Sequence, residues 1–255
     1  MVATTLHRGL ELLSALATSE AAEEGGLGVT RLAELTGEEK SQVSRSLRAL
    51  AAAGFVERDP DTRRYRLGWH LFALAARAGE PRLLAAAGPV LAQLVVDLGE
   101  TAHLSVLQGV DVLTVRSSSP PRALQAASWV GQLVPAYASS AGRALLLDAD
   151  RAQLGERFAD TGLRRLGPNT VRDLDELAER IRVARTAGYV VVDEELEPGL
   201  VGVASPVCGF TGHPVAALNI SAPRFRLEGR LEAAGETIAV AAARLSRSLG
   251  YASAA

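Results

Sequence analysis

Ser41, Gln42, Arg45 and Arg48 stand at spacings that one helix would turn away from its apolar side, and each can hydrogen-bond a base or a phosphate. At about 100° per residue, the stretch from Lys40 to Leu50 gathers Val43, Leu47 and Leu50 into one apolar stripe. Ser41, Arg45 and Arg48 then lie opposite it, with Gln42 and Ser44 on the flanks. Arginine can bond two acceptors of guanine at once, glutamine can pair with adenine, and serine reaches either a base or a phosphate. Such a helix suits a DNA major groove. Ser41 is expected to serve as its N-cap, accepting a free N–H of the first turn. An isolated helix with two arginines is more often a solvated surface, so the reading depends on what surrounds it.

Three other groupings could do chemistry. Ser139-Ser140-Ala141-Gly142 opens a predicted helix, where unpaired N–H groups attract an anion. It is not a nucleophile elbow, because the flanking glycines are missing. Asp193-Glu194-Glu195 offers carboxylates, and on a strand Asp193 and Glu195 would share a face. Nothing nucleophilic or metal-binding is spaced to join them, so a structural role is the better reading. His103, His213 and the single Cys208 have no metal-ligand spacing and read as core or surface residues. One cysteine also excludes an internal disulfide. No catalytic residue, metal site or cofactor is expected.

The surroundings of the 40–50 stretch change its meaning. Leu6, Leu10, Leu13, Leu16 and Ala17 recur at helical spacing; a short helix follows, with Thr30 as its expected cap and Gly37 as its end. The turn Thr36-Gly37-Glu38-Glu39 then leads straight into Lys40, the arrangement of a helix-turn-helix. After Gly54, two strands (Phe55 to Arg58 and Arg63 to Leu67) flank turn residues Asp59-Pro60-Asp61-Thr62. This hairpin forms a wing whose tip carries Arg63 and Arg64 towards a phosphate backbone. With a net charge of −2 over 255 residues, any nucleic-acid surface must be a local patch, and the only lysine, Lys40, falls within it.

Gly68 to Ala78 predicts a connecting helix and Gly79-Glu80-Pro81 a boundary. A helix from Leu83 to Leu98 opens the second domain, with a kink expected at Gly88-Pro89, where proline removes a helix hydrogen bond. Strands are expected at Thr101 to Leu107, Val112 to Val115, Tyr189 to Glu194, Leu200 to Val207 and Pro214 to Ser221. Asp173-Leu174-Asp175-Glu176 reads as a capping box, and a last helix runs from Leu227 to Leu249. Antiparallel strands between helices imply an α+β domain. No run has the length expected of a signal peptide core or a membrane span, which makes the cytoplasm the expected location.

In this order and spacing the fragments resemble the IclR family of transcriptional regulators. They include Leu32-Ala33-Glu34-Leu35-Thr36-Gly37, Gly54-Phe55-Val56-Glu57-Arg58-Asp59 and Gly99-Glu100-Thr101-Ala102-His103-Leu104. Further on come Pro135-Ala136-Tyr137-Ala138-Ser139, Gly142-Arg143-Ala144, Asp193-Glu194-Glu195, Pro198-Gly199 and Ala204-Ser205-Pro206. The resemblance implies a winged helix-turn-helix domain over 1–68, a connecting helix over 69–80 and a GAF-like effector-binding domain over 81–255. It implies homodimers, or dimers of dimers, on double-stranded operator DNA of (pseudo)palindromic sequence. It also implies control by a small organic or aromatic acid-like effector.

DNA contact is expected from Lys40, Ser41, Gln42, Ser44, Arg45 and Arg48, with Arg63 and Arg64 on the wing. By position, the family's effector pocket falls on Ser140-Ala141, on Val192 and Leu200, on Gly202, and on Asn219 and Ser221, with Ser139 added at the helix start. Two departures stand out. Glu38-Glu39 replaces the usual Leu-Pro before Lys40-Ser41, and Val192 and Gly202 replace the Asp and Cys that carboxylate-binding members can carry. The pocket is therefore expected to be less acidic and roomier, holding a larger, partly aromatic ligand by hydroxyls, Asn219 and backbone N–H groups. The alternative is an enzyme whose second domain turns over a small metabolite while the first makes protein contacts.

Overall fold

A computed structural model describes residues 5–75, 81–121 and 129–251. The chain forms two compact units that part between Pro81 and Arg82. Expectations for Ala76 to Ala78 and for Gly79-Glu80 lie outside the described residues.

The first unit opens with helices α1 (Thr5–Leu16), α2 (Ser19–Glu23), α3 (Val29–Thr36) and α4 (Lys40–Ala52). A wing follows, made of β1 (Val56–Arg58) and β2 (Tyr65–Leu67), and α5 (Trp69–Ala75) ends the unit. Its core collects Leu12, Leu16, Leu27, Leu32, Val43, Leu47, Val56 and Tyr65. Leu27 pairs in both directions with Tyr65, N–H to carbonyl at 2.9 and 2.8 Å, which ties the loop before α3 to the wing.

Several local expectations are corrected. Ser41 lies inside α4, whose N-cap is Glu39 without a side-chain bond. Thr30 likewise lies inside α3, capped by Gly28. In both cases the helix begins earlier because the preceding residue already has the extended conformation an N-cap needs. Gly37 does end α3, in the left-handed conformation at φ 68°. Leu6 and Leu10 face solvent rather than the core, as do Trp69 and Phe72 of α5.

The second unit is built on a six-stranded antiparallel sheet in the order β5-β4-β3-β8-β7-β6. Its strands are β3 (Thr101–Gln108), β4 (Asp111–Ser118), β5 (Leu133–Pro135), β6 (Val190–Asp193), β7 (Leu200–Cys208) and β8 (Pro214–Pro223). Because successive strand residues point to opposite faces, Ala102, Leu104, Val201, Val203, Leu218 and Ile220 meet α6 (Pro81–Leu98) and α11 (Leu231–Ser248) on one side. The other face carries His103, Ser105, Gly202, Asn219 and Ser221. It is covered by α7 (Ser140–Leu145), α8 (Arg151–Phe158) and α9 (Leu174–Ala187). A short α10 (Arg224–Leu227) joins β8 to α11.

By length and composition α6 is apolar enough to cross a membrane, against the expectation that no run would be. Its Ala87, Leu91 and Leu94 are instead closed against the sheet. Asp173 caps α9 through Glu176 N–H at 2.8 Å. The box stays half-formed, because the Glu176 carboxylate takes the N–H of Arg172 at 3.0 Å instead.

Candidate functional site

On α4, Val43 and Leu47 are almost completely buried and Leu50 packs beside them. The opposite side therefore has to face out. Lys40, Ser41, Arg45 and Arg48 are exposed, while Gln42 and Ser44 are half-buried on the flanks. Lys40 and Arg45 have no ion pair among the described residues. Arg48 only reaches back to the Ser44 carbonyl at 3.4 Å. Glu38, one of the two acidic departures, is held by Arg8 at 2.8 Å, so part of its charge is neutralised on the α1 side.

The wing turn is set by Asp59, whose carboxylate accepts the N–H groups of Asp61 and Thr62 at 3.0 and 2.7 Å. These bonds favour the ionised form and hold its pKa below the ordinary value. Beyond this turn the two wing arginines diverge. Arg63 is exposed in the left-handed region at φ 58°. Arg64 folds back onto the first unit, donating to the Glu24 carbonyl at 2.5 Å and pairing with the Glu24 carboxylate at 2.9 Å. Arg66 is similarly spent on its cross-strand neighbour Glu57 at 2.9 Å.

In the second unit, Ser139, Ser140, Ala141, Val192, Leu200, Gly202, Asn219 and Ser221 all line one cavity of about 60 Å³. Sheet register brings the later ones together, since Gly202 pairs with Val192 on one side and Ser221 on the other. Ser139 caps α7, its hydroxyl accepting Gly142 N–H at 3.1 Å. That bond fixes the helix start at which Ser140 and Ala141 face the cavity.

Sequence reasoning passed over His103, Ser105, Thr114 and Trp129, which line the same cavity together with the apolar Val112, Val134, Ala138, Leu196 and Val201. The alternation of the 101–107 strand carried the signal, because it placed His103 and Ser105 on the same face as Asn219 and Ser221. His103 lies between two hydroxyls, with Nδ1 2.7 Å from Ser117 Oγ and Nε2 3.2 Å from Ser221 Oγ. Burial pushes its pKa down to about 4, leaving a neutral ring at physiological pH. Ser105 Oγ donates to Asn219 Oδ1 at 3.1 Å.

One expectation about the cavity changes. No carboxylate stands among the described lining residues, but the site is not roomy. The space at Gly202 is already taken, since a Cβ there would lie 2.8 Å from Ser140 Oγ. The 193–195 carboxylates also behave differently from a strand. β6 stops at Asp193 and Glu194 adopts φ 53°, so Asp193 and Glu195 do not share a strand face. Glu195 turns inward to a bidentate pair with Arg143, and Arg180 bonds the same carboxylate at 2.6 Å.

Comparison with known proteins agrees with this division. Residues 5–60 match the family model described as the IclR helix-turn-helix domain, and residues 77–247 match that of the bacterial transcriptional regulator IclR C-terminal. The chain is 31% identical over 253 residues to the HTH-type transcriptional repressor AllR of Salmonella paratyphi A, covering 97% of this chain and 90% of that one. It is 31% identical over 247 residues to the HTH-type transcriptional regulator BhcR of Paracoccus denitrificans, covering 94% and 85%. An IclR homologue from Microbacterium hydrocarbonoxydans, solved in complex with 4-hydroxybenzoate, superposes with a TM-score of 0.83 at 27% identity, covering 96% and 99%. These relatives are regulators rather than enzymes, which sets aside turnover of a metabolite by the second domain. The chain belongs to the IclR family of bacterial transcriptional regulators.

Proposed function

We propose that this regulator binds a (pseudo)palindromic operator as a homodimer or a dimer of dimers in the cytoplasm, and that a small organic effector in the second unit controls the binding. Residues 1–68 act as the DNA-binding domain, 69–80 as the connector and 81–255 as the sensor. The observation that carries the reading is the outward face of α4, where Lys40 and Arg45 stand exposed without an ion pair among the described residues. Ser41, Gln42, Ser44 and Arg48 complete the groove-facing surface, and Arg63 carries the wing contact. The exposed apolar side chains of α1 and α5 support a dimer, since patches of this kind mark protein contacts.

The cavity that gathers Ser140, Gly202, Asn219 and Ser221 serves as the effector site. The similarity to AllR, a transcriptional repressor, supports repression as the direction of control. Fluorescence anisotropy with DNA from upstream of the protein's own gene tests the reading. Tight, sequence-dependent binding that a small metabolite reverses is the expected result. Equal affinity for scrambled DNA at moderate salt would sink it.

A further inference from the structure

The effector cavity is walled mainly by apolar side chains such as Val112, Val134, Leu196 and Val201, with a few polar groups and no charged one among its described lining residues. His103 is the one titratable side chain among its described lining residues, and burial keeps it neutral. Its two ring nitrogens are engaged by hydroxyls, those of Ser117 and Ser221. A neutral imidazole has one donor and one acceptor. When Nε2 accepts from Ser221, the oxygen of that hydroxyl is left to receive a donor from the cavity.

Two further groups await a partner. Ser140 is only 5% exposed, and its hydroxyl has no hydrogen bond among the described residues. The Asn219 amide nitrogen also has none among them, its oxygen being taken by Ser105. The Ser140 hydroxyl is not a sealed-off atom, so a group entering the cavity can reach it and complete it.

The identity of that group follows from charge and size. An ionised carboxylate entering this space would leave its hydration shell and meet no cation among the described lining residues, a heavy desolvation cost. A neutral carbonyl pays far less for the same donors. The volume of about 60 Å³ is also well short of the ~150 Å³ cavity that takes benzene, so a few heavy atoms fill it.

We propose that the cavity selects a small uncharged carbonyl compound, a primary amide or the un-ionised form of an acid, over the corresponding carboxylate. The ligand C=O accepts from Ser140 and Asn219, and an N–H or O–H beside it donates to Ser221. This inference rests on the reading of the cavity as the effector site.

The test is calorimetric titration of the full chain with two matched pairs, lactamide against lactate and propionamide against propionate, at pH 6, 7 and 8. The amides should bind with a constant affinity across this range, at least tenfold tighter than the acids at pH 7. Apparent acid affinity should fall tenfold per pH unit, following the un-ionised fraction alone. His103 stays neutral throughout and cannot produce that slope. Ser140→Ala should weaken amide binding several-fold.

A carboxylate that binds as tightly as its amide, independently of pH and weakened by Ser140→Ala, would overturn the inference while leaving the effector site in place. If no member of either pair binds, or binding ignores Ser140→Ala, the effector-site reading falls and the inference falls with it.

Discussion

Ser140 Oγ occupies the position that a side chain at residue 202 would need, 2.8 Å from where the first carbon of that side chain would stand. The glycine on β7 and the serine at the start of α7 are thus a matched pair across the cavity. Only the absence of a Cβ lets the serine hydroxyl face the space where a ligand would sit.

Gly202→Ala is therefore expected to displace the Ser140 hydroxyl and cost about 1–3 kcal/mol, the usual range for overpacking. Gly202→Leu should add complete blockage of the cavity. DNA binding without effector should persist in both, because the first unit folds around its own core. Thermal melts and effector titrations in parallel check this. An effector that still releases Gly202→Leu from DNA at wild-type concentration would place the effector elsewhere.

The Arg143–Glu195 pair is nearly inaccessible to solvent, with side-chain exposures of 1% and 3%. Arg143 Nε also donates to the Tyr137 carbonyl at 2.9 Å, so one guanidinium ties the turn before α7 to the turn after β6. Removing a single partner leaves a buried charge alone. Glu195→Ala should destabilise the fold by about 3–5 kcal/mol. The double variant Arg143→Met/Glu195→Leu should recover most of that loss. Urea unfolding measures both, and a loss under 1 kcal/mol for Glu195→Ala would show that water or Glu176 compensates.

The longer strands and helix α4 were legible because each rests on period, whereas the cavity residues came from the family resemblance and only part of the wall was named. Alternation in 101–107 puts Ala102 and Leu104 on one face and His103 and Ser105 on the other, and helices cover both. What escaped depends on contacts distant in sequence. Helix α8 and its complete capping box at Asp150 and Gln153 went unread, since only Leu154 and Phe158 of that helix are buried and two apolar residues make no visible stripe. Glu195 looked like part of an acidic strand, and its burial is explained by Arg143, 52 residues away, together with Arg180. Arg64 looked equivalent to Arg63 until Glu24, 40 residues earlier, claimed it.

That difference makes the two wing arginines separable. Arg63→Ala should weaken specific and non-specific DNA binding together and reduce the slope of log affinity against log salt by about one unit. Arg64→Ala should leave the slope unchanged. Its loss falls on an exposed ion pair, worth at most about 1 kcal/mol of stability. Anisotropy at four salt concentrations distinguishes them, and identical slopes for the two variants would mean that the Glu24 pair opens on DNA.

Arg45 faces away from the buried Val43/Leu47 side of α4 and has no ion-pair partner among the described residues to give up. Arg45→Ala is expected to cost roughly 1–3 kcal/mol of specific binding and to relax preference at one operator position. A binding series over single-base operator variants reads both effects. Unchanged affinity with an unchanged base profile would remove Arg45 from the reading surface.

His103 should leave its mark on the acid limb of stability. Burial lowers its pKa in the folded protein to about 4, while in the unfolded chain it returns to about 6.5. Between those values the unfolded chain binds a proton that the folded one refuses. Stability therefore falls as pH drops below about 6.5 and stops falling, for this group, below about 4. The groups facing the ring are the Ser117 and Ser221 hydroxyls, and no carboxylate among the described lining residues is placed to stabilise an imidazolium. At pH 5 the linkage amounts to about 2 kcal/mol. Other groups also titrate there, so the observable is the difference between wild type and His103→Gln, which keeps a neutral hydrogen-bonding side chain. The variant should lose less stability between pH 7 and pH 5 by about that amount in urea denaturation. Parallel curves for the two proteins, or a His103 ring that titrates near 6.5 by NMR, would show that the cavity admits enough water to solvate a charged ring.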